Sequence, residues 1–214
     1  MAKVAIAMSV YFADTLEFIK LSIDSLLQQE SIDFKIFIMV DGDVTADVKC
    51  FLTEQANNTK IDITFFDNNK GLAFRLNQII EHVITLDEFD YIARMDADDV
   101  CESTRLKEQV AFLDENSNIS IVGSDVLEID SEGRALFYKK MDCSHQIMEN
   151  KIIKKCPFNH PSVMFRTKVF SENTLRYKNE LINTQDYYLW VDALKLGLKF
   201  GNINKPLLKF RVDT

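Results

Sequence analysis

The chain has 214 residues, 47% of them hydrophobic, with 33 acidic against 25 basic side chains and a formal charge of -8. A chain of this length buries roughly 70% of the surface it exposes when unfolded, and with only six Gly and three Pro it is neither a disordered nor a fibrous sequence. The acidic balance without any Lys/Arg block excludes nucleic acid as a partner, and no apolar stretch reaches the roughly 20 residues that span a bilayer.

The opening residues Met1 to Ala7 hold a lysine, an apolar run and an A-x-A triplet, but the triplet lies inside the run rather than after it. A first core strand over Val4 to Val10 is therefore expected instead of a signal peptide. Leu16, Ile19, Ile23, Leu26 and Leu27 then recur on one helical face. Phe34 to Val40 reads as a second strand ending at Asp41-Gly42-Asp43, and Ile61 to Phe66 as a third. The turn Asp67-Asn68-Asn69-Lys70-Gly71 leads into a helix carrying Leu72, Leu76, Ile79, Ile80 and Val83. Tyr91-Ile92-Ala93 makes a fourth strand, stopping at Met95-Asp96-Ala97-Asp98-Asp99.

The second half is more mixed. A helix is expected near Arg105 to Leu113, a strand at Ile119 to Ile129, and a hairpin return at Arg134 to Lys140 across Ser131-Glu132-Gly133. A helix near Ser144 to Lys154, a short strand at Ser162 to Arg166 and a helix from about Gln185 to Leu196 follow. Short β-type runs alternating with helical patterns predict an α/β fold with a mostly parallel sheet flanked by helices. No repeat, low-complexity run or linker divides the chain, so one domain is expected. Cys50, Cys101, Cys143 and Cys156 lie far apart without a C-x-x-C pair, which fits a reduced cytosolic chain without structural zinc.

Acidic residues collect where strands end, and ligands of open parallel sheets bind there. Asp96-Ala97-Asp98, followed by Asp99, suits a hard cation such as Mn²⁺ or Mg²⁺, which takes one or two carboxylates plus substrate phosphate oxygens. The structural alternative is a solvated loop capping the next helix, and Asp41-Gly42-Asp43 has the same spacing. The mutual repulsion of three aspartates behind a buried strand favours the cation. Asp41 can accept hydrogen bonds from a base or sugar, or serve as a turn residue beside Gly42. Arg75 stands near a helix N-terminus that favours anions, or is an exposed helix charge. Asp186, at a helix start, can act as a general base or simply stabilise the helix dipole. The single tryptophan, Trp190, suits a sugar contact or, more simply, packing.

In order, Ser9-Val10-Tyr11, Val40-Asp41-Gly42, Asn69-Lys70-Gly71 with Arg75-Leu76-Asn77, Asp96-Ala97-Asp98-Asp99, Asn159-His160-Pro161-Ser162 and Gln185-Asp186-Tyr187 resemble the family 2 glycosyltransferases of the GT-A fold, over nearly the whole chain. The resemblance implies a Rossmann-like domain, with a nucleotide-binding half over about residues 1–100 and an acceptor-side half over about 101–214. It implies that Asp41 and Arg75 contact the uracil end of a UDP-sugar, with Ser9 and Tyr11 lining the same pocket. Asp96 would approach the ribose and Asp98 the metal, with Ala97 between them on the donor side. Asp186 would be the base of an inverting reaction, with Gln185 and Trp190 on the acceptor side and His160 on the acceptor or diphosphate side. The implied acceptor is a saccharide or lipid-linked saccharide of surface polysaccharide assembly. Peripheral contact with lipid headgroups through Lys151, Lys154 and Lys155 is compatible with the charge pattern, although that patch reads first as a solvated helix face.

The sequence departs from many relatives at Gln185, where they carry Glu, and at Phe12, where they carry Asn. Relatives also often continue beyond the position of Thr214 into helices that meet membrane or acceptor, so such an extension is expected to be missing here. Two other readings are a non-catalytic nucleotide-sugar-binding module and a sugar nucleotidyltransferase. The latter needs a Gly-rich basic loop after the first strand, where Tyr11-Phe12-Ala13-Asp14 stands.

Overall fold

Alternation along the first strand decides the layering. In β1 (Lys3–Val10), Val4, Ile6, Met8 and Val10 enter one apolar cluster while Ala5 and Ala7 enter another, the two-residue period of a strand covered on both faces. The computed structural model describes residues 2–212. β2 (Asp33–Asp41) repeats the pattern, with Phe34, Ile36, Ile38 and Val40 on the first side and Phe37 on the second.

Helices α1 (Leu16–Leu27), α2 (Ala46–Gln55) and α4 (Arg105–Glu115) cover the first face through Ile19, Ile23, Leu52, Leu106 and Leu113. The second face is covered by α3 (Leu72–Leu86), α5 (His145–Lys151), α6 (Lys168–Ser171) and α7 (Gln185–Lys195). Between these layers runs one sheet in the order β3-β2-β1-β4-β8-β6-β9-β5, with β7 (Ala135–Lys139) paired to β6 (Ile121–Ile129). The long ladders β1–β2, β2–β3 (β3, Ile61–Phe66) and β6–β9 (β9, Phe200–Arg211) are parallel, as is β1–β4 (β4, Tyr91–Arg94). β8 (Met164–Arg166) and β5 (Val100–Cys101) pair antiparallel. The expected α/β architecture with a mostly parallel sheet is the one observed.

After β3 the chain returns to pair β4 on the other side of β1, which makes β1/β4 the reversal point where open sheets bind ligands. The C-terminal ends of β1, β2 and β4 therefore share one edge, and the residues singled out after each strand lie along it. Most expected elements are present with ends shifted by a few residues; the expected helix to Lys154 stops at Lys151, and the strand expected from Ser162 begins at Met164 behind a 3₁₀ turn at His160–Ser162. Four elements were not foreseen: α2, β5, α6 and the 12-residue β9.

Candidate functional site

At the end of β2 the chain must turn sharply. Gly42 has φ +87°, and a Cβ there would lie 2.9 Å from the Asn69 nitrogen, so only glycine fits without strain. The Asp41 carboxylate, 2% exposed, accepts from the Lys70 N–H at 2.9 Å, the Gly71 N–H at 2.8 Å and Arg75 Nε at 2.6 Å. Arg75 is equally buried, lies 3.7 Å over the Phe66 ring and donates to Asn68 O and Gln78 Oε1. Asp41 and Arg75 are thus brought together, and each already has its main partner in the other. The arginine is not an exposed helix charge.

Two residues further along α3, Asn77 brackets the backbone of Tyr177, accepting its N–H at 2.9 Å and donating to its carbonyl at 2.8 Å. Tyr177 in turn meets His160 Nε2 through its hydroxyl at 2.8 Å. Desolvation and the positive charge of Arg94 hold His160 well below the ordinary histidine range, so it is neutral at pH 7.

The acidic loop after β4 divides its side chains by burial. Asp99 and the Ala97 methyl turn into the protein, while Asp96 and Asp98 are half-buried. The Ala97 methyl is thereby removed from the surface of this loop, which leaves its backbone. Asp99 is locked by the Arg211 N–H at 2.8 Å, and Arg211 Nε donates to the Asp98 carbonyl at 2.9 Å. Asp96 receives a hydrogen bond and ion pair from the buried Arg94, which also donates to the Met95 carbonyl. Ser22 Oγ holds the Asp96 carbonyl at 2.9 Å.

The loop after β1 folds onto the same place. Tyr11 N–H donates to Asp14 Oδ2 at 2.8 Å, and the Asp14 carboxyl is pushed up to about 7 by burial, with repulsion from Asp98 and Asp96 adding to it. Asp98 is raised by burial and by Asp96; Asp99 is raised by burial and by both neighbours. Four carboxyls thus crowd against three guanidiniums, those of Arg94, Arg105 and Arg211. Asp186, on the first turn of α7, joins this field: burial raises its carboxyl, the N–H groups of Tyr187 and Asp186 lower it, and it feels both Arg94 and Asp96.

These surroundings suit a divalent cation. Among the described residues no three His, Cys, Asp or Glu side chains form a metal cage, but Mn²⁺ or Mg²⁺ held with substrate phosphates needs only one or two carboxylates. Asp98, half-buried at the end of this loop, offers a hard oxygen donor, and the residues present fit such an ion.

Trp190 corrects another expectation. It is fully buried, stacked on Phe165 at 5.9 Å and edge-on to Phe158 at 4.9 Å, because the apolar face of α7 comprises Leu189, Trp190 and Ala193. It cannot touch an acceptor. Gln185 is half-buried, and its Oε1 lacks a hydrogen-bond partner among the described residues. Ser9 is half-buried in β1, and Tyr11 is 43% exposed with Phe12 edge-on to it at 5.2 Å. Sequence reasoning missed Asp14, Arg94, Tyr177 and Arg211. Of these only Arg94, a cation inside an apolar strand next to the acidic run, left a readable signal.

The family model described as Glycosyl transferase family 2 matches residues 5–174. Over 98% of its length the chain is 30% identical to the O-antigen biosynthesis glycosyltransferase WbnJ of Escherichia coli, covering 79% of that protein. It is 26% identical, again over 98%, to the E. coli UDP-Gal:alpha-D-GlcNAc-diphosphoundecaprenol beta-1,3-galactosyltransferase, covering 74% of it. The crystal structure of S. aureus TarS residues 1-349 in complex with UDP superposes over 98% of the chain with a TM-score of 0.78 at 17% identity. The chain spans 60% of the length of that solved structure.

Proposed function

We infer from membership of glycosyl transferase family 2, to which this chain belongs, that it is an inverting transferase moving a hexose or N-acetylhexosamine from a UDP-sugar to a sugar hydroxyl, in the assembly of a surface polysaccharide. The observation that carries the reading is the shared field of Asp96, Arg94 and Asp186, which come from β4, the loop after it and α7. A displacement needs a donor's leaving group and an acceptor's base within one crevice, and that coupling supports both. The galactosyltransferase relative, named for UDP-Gal and a diphosphoundecaprenol-linked sugar, supports a uridine diphosphate donor and a lipid-linked acceptor. WbnJ, named for O-antigen biosynthesis, supports the polysaccharide setting.

In this reading residues 1–100 form the nucleotide-binding half and residues 101–214 the acceptor side. The Asp41–Arg75 lock shapes the wall for the uracil, beside Ser9 and Tyr11. Asp96 approaches the ribose, and Asp98 would hold Mn²⁺ or Mg²⁺. That ion, when bound, supplies positive charge against the charge that develops on the diphosphate. Asp186 takes the acceptor hydroxyl proton while the acceptor oxygen bonds to the anomeric carbon, and the bond to UDP breaks with its electron pair leaving on the phosphate. Attack from the face opposite the leaving group inverts the anomeric centre, and no covalent enzyme intermediate forms.

The test is Mn²⁺-dependent UDP release across a panel of UDP-sugars, for the wild type and for Asp186→Asn. Turnover lost with UDP binding retained supports the base; unchanged turnover in the variant overturns it.

A further inference from the structure

Two highly exposed isoleucines flank the start of α7. Ile153 at 88% and Ile182 at 82% are the most exposed large hydrophobic residues among the described residues, and both stand beside the start of α7. Ile182 precedes Asp186 by four positions, and the Tyr187 hydroxyl donates to the Ile152 carbonyl at 2.9 Å. Tyr188, 42% exposed, carries Lys178 over its ring at 5.0 Å.

Positive charge gathers there too. Within a chain of net -8, the stretch from Lys139 to Lys155 holds five lysines against Asp142 and Glu149. Asp142 pairs with Lys151 at 3.0 Å and Lys155 at 3.3 Å, and Lys139 pairs with Glu128 at 3.4 Å. Lys140 and Lys154 make no salt bridge among the described residues. The Tyr187–Ile152 hydrogen bond ties this lysine-bearing turn to the first turn of α7, one residue from Asp186.

An isoleucine on a turn tip flanked by lysines matches the headgroup region of a bilayer, where the alkyl group sinks below the phosphates and the ammonium groups stay level with them. A protein partner is matched by a continuous, close-packed apolar patch, whereas these two isoleucines stand on separate turns. We propose that the Lys151–Lys155 turn, with Ile153 at its tip and Ile182 on the segment leading into α7, docks on an anionic phospholipid surface and holds the start of α7, with Asp186, against the membrane. Only the purpose of this placement, delivery of a lipid-linked acceptor to Asp186, rests on the transferase reading. No helix among the described residues is long and apolar enough to cross a membrane, so the contact is a surface one.

The experiment is co-sedimentation of the full chain with vesicles of phosphatidylcholine alone and with about one third phosphatidylglycerol, a composition that sets the surface charge. The wild type binds the anionic vesicles, not the neutral ones, and is released by high salt. Lys154→Glu with Lys155→Glu weakens binding at least about 25-fold, since each lysine near such a surface contributes about fivefold. Ile153→Ser weakens it about tenfold, and Ile182→Ser acts in the same direction. All variants keep lipid-free UDP release and melt within about 4 °C of wild type, since Lys155 loses only an exposed pair with Asp142. Wild type that ignores anionic vesicles, variants that bind like wild type, or an Ile153→Ser change in oligomeric mass that accounts for the loss would each overturn the proposal. Vesicle binding without any UDP release would sink the transferase reading and leave the docking surface standing.

Discussion

Asp41→Asn separates a structural lock from a simple ligand contact. The carboxylate takes three hydrogen bonds, two from backbone amides and one from Arg75, and both charged partners are 2% exposed. Asparagine keeps the shape but replaces one acceptor oxygen with a donor, which must then face either the Gly71 N–H or both the Lys70 N–H and the Arg75 Nε–H. It also leaves the guanidinium buried without a counter-charge. Breaking a buried pair from one side costs about 3–5 kcal/mol, and at about 2–4 °C per kcal/mol for a chain of this size the melting temperature should fall by about 6–20 °C. Thermal unfolding followed by circular dichroism, without nucleotide, measures this directly. Adding Arg75→Met to Asp41→Asn should restore part of the loss, because the unpaired charge is gone. A single variant melting within about 2 °C of wild type would refute the reasoning and leave Asp41 with a ligand role alone.

Asp186→Asn should lower transfer by about 10²–10⁴-fold with UDP affinity unchanged, measured by product formation and by calorimetry. Because burial raises the Asp186 carboxyl and a base must be ionised, the acid limb of the kcat/KM profile should lie above the ordinary aspartate range, with activity lost as pH falls through it; a limb at or below that range would count against the assignment. Arg94→Gln removes one of the two influences that depress His160, so the imidazole should titrate higher by NMR while staying below its ordinary value, since desolvation is the larger cause. Trp190→Ala should cost about 3–5 kcal/mol of stability, and the wild-type tryptophan emission should be that of a dry ring, unmoved by acceptor. Chelation with EDTA should abolish UDP release and Mn²⁺ restore it, whereas Asp98→Asn should raise the Mn²⁺ concentration needed for half-maximal rate.

The first half of the fold was legible because its strands are rich in apolar residues and its helices α1 and α3 show clear spacing. Helix α2 was not, since only Val48 and Leu52 are buried in it. Strand β9 was hidden by Asn202, Lys205 and Pro206; its register against β6 slips around Asp125, which accommodates the proline in an irregular stretch. At the site, single acidic positions were readable and their partners were not. Arg211 lies 112 residues from Asp99, and no local pattern encodes such a pairing. Trp190 misled because its neighbour Asp186 drew attention to the surface, while the helical repeat Leu189, Trp190, Ala193 already pointed inward.

The tie between Arg211 and the acidic loop sets an order of events as the chain is made. Asp98 and Asp99 leave the ribosome long before the residue that clasps them, and β9 reaches its parallel neighbour β6 only through a long loop closure. Until that clasp closes, the nascent protein can hold its β1–β4 layer while the loop at Asp98 and Asp99 lacks its tie to β9.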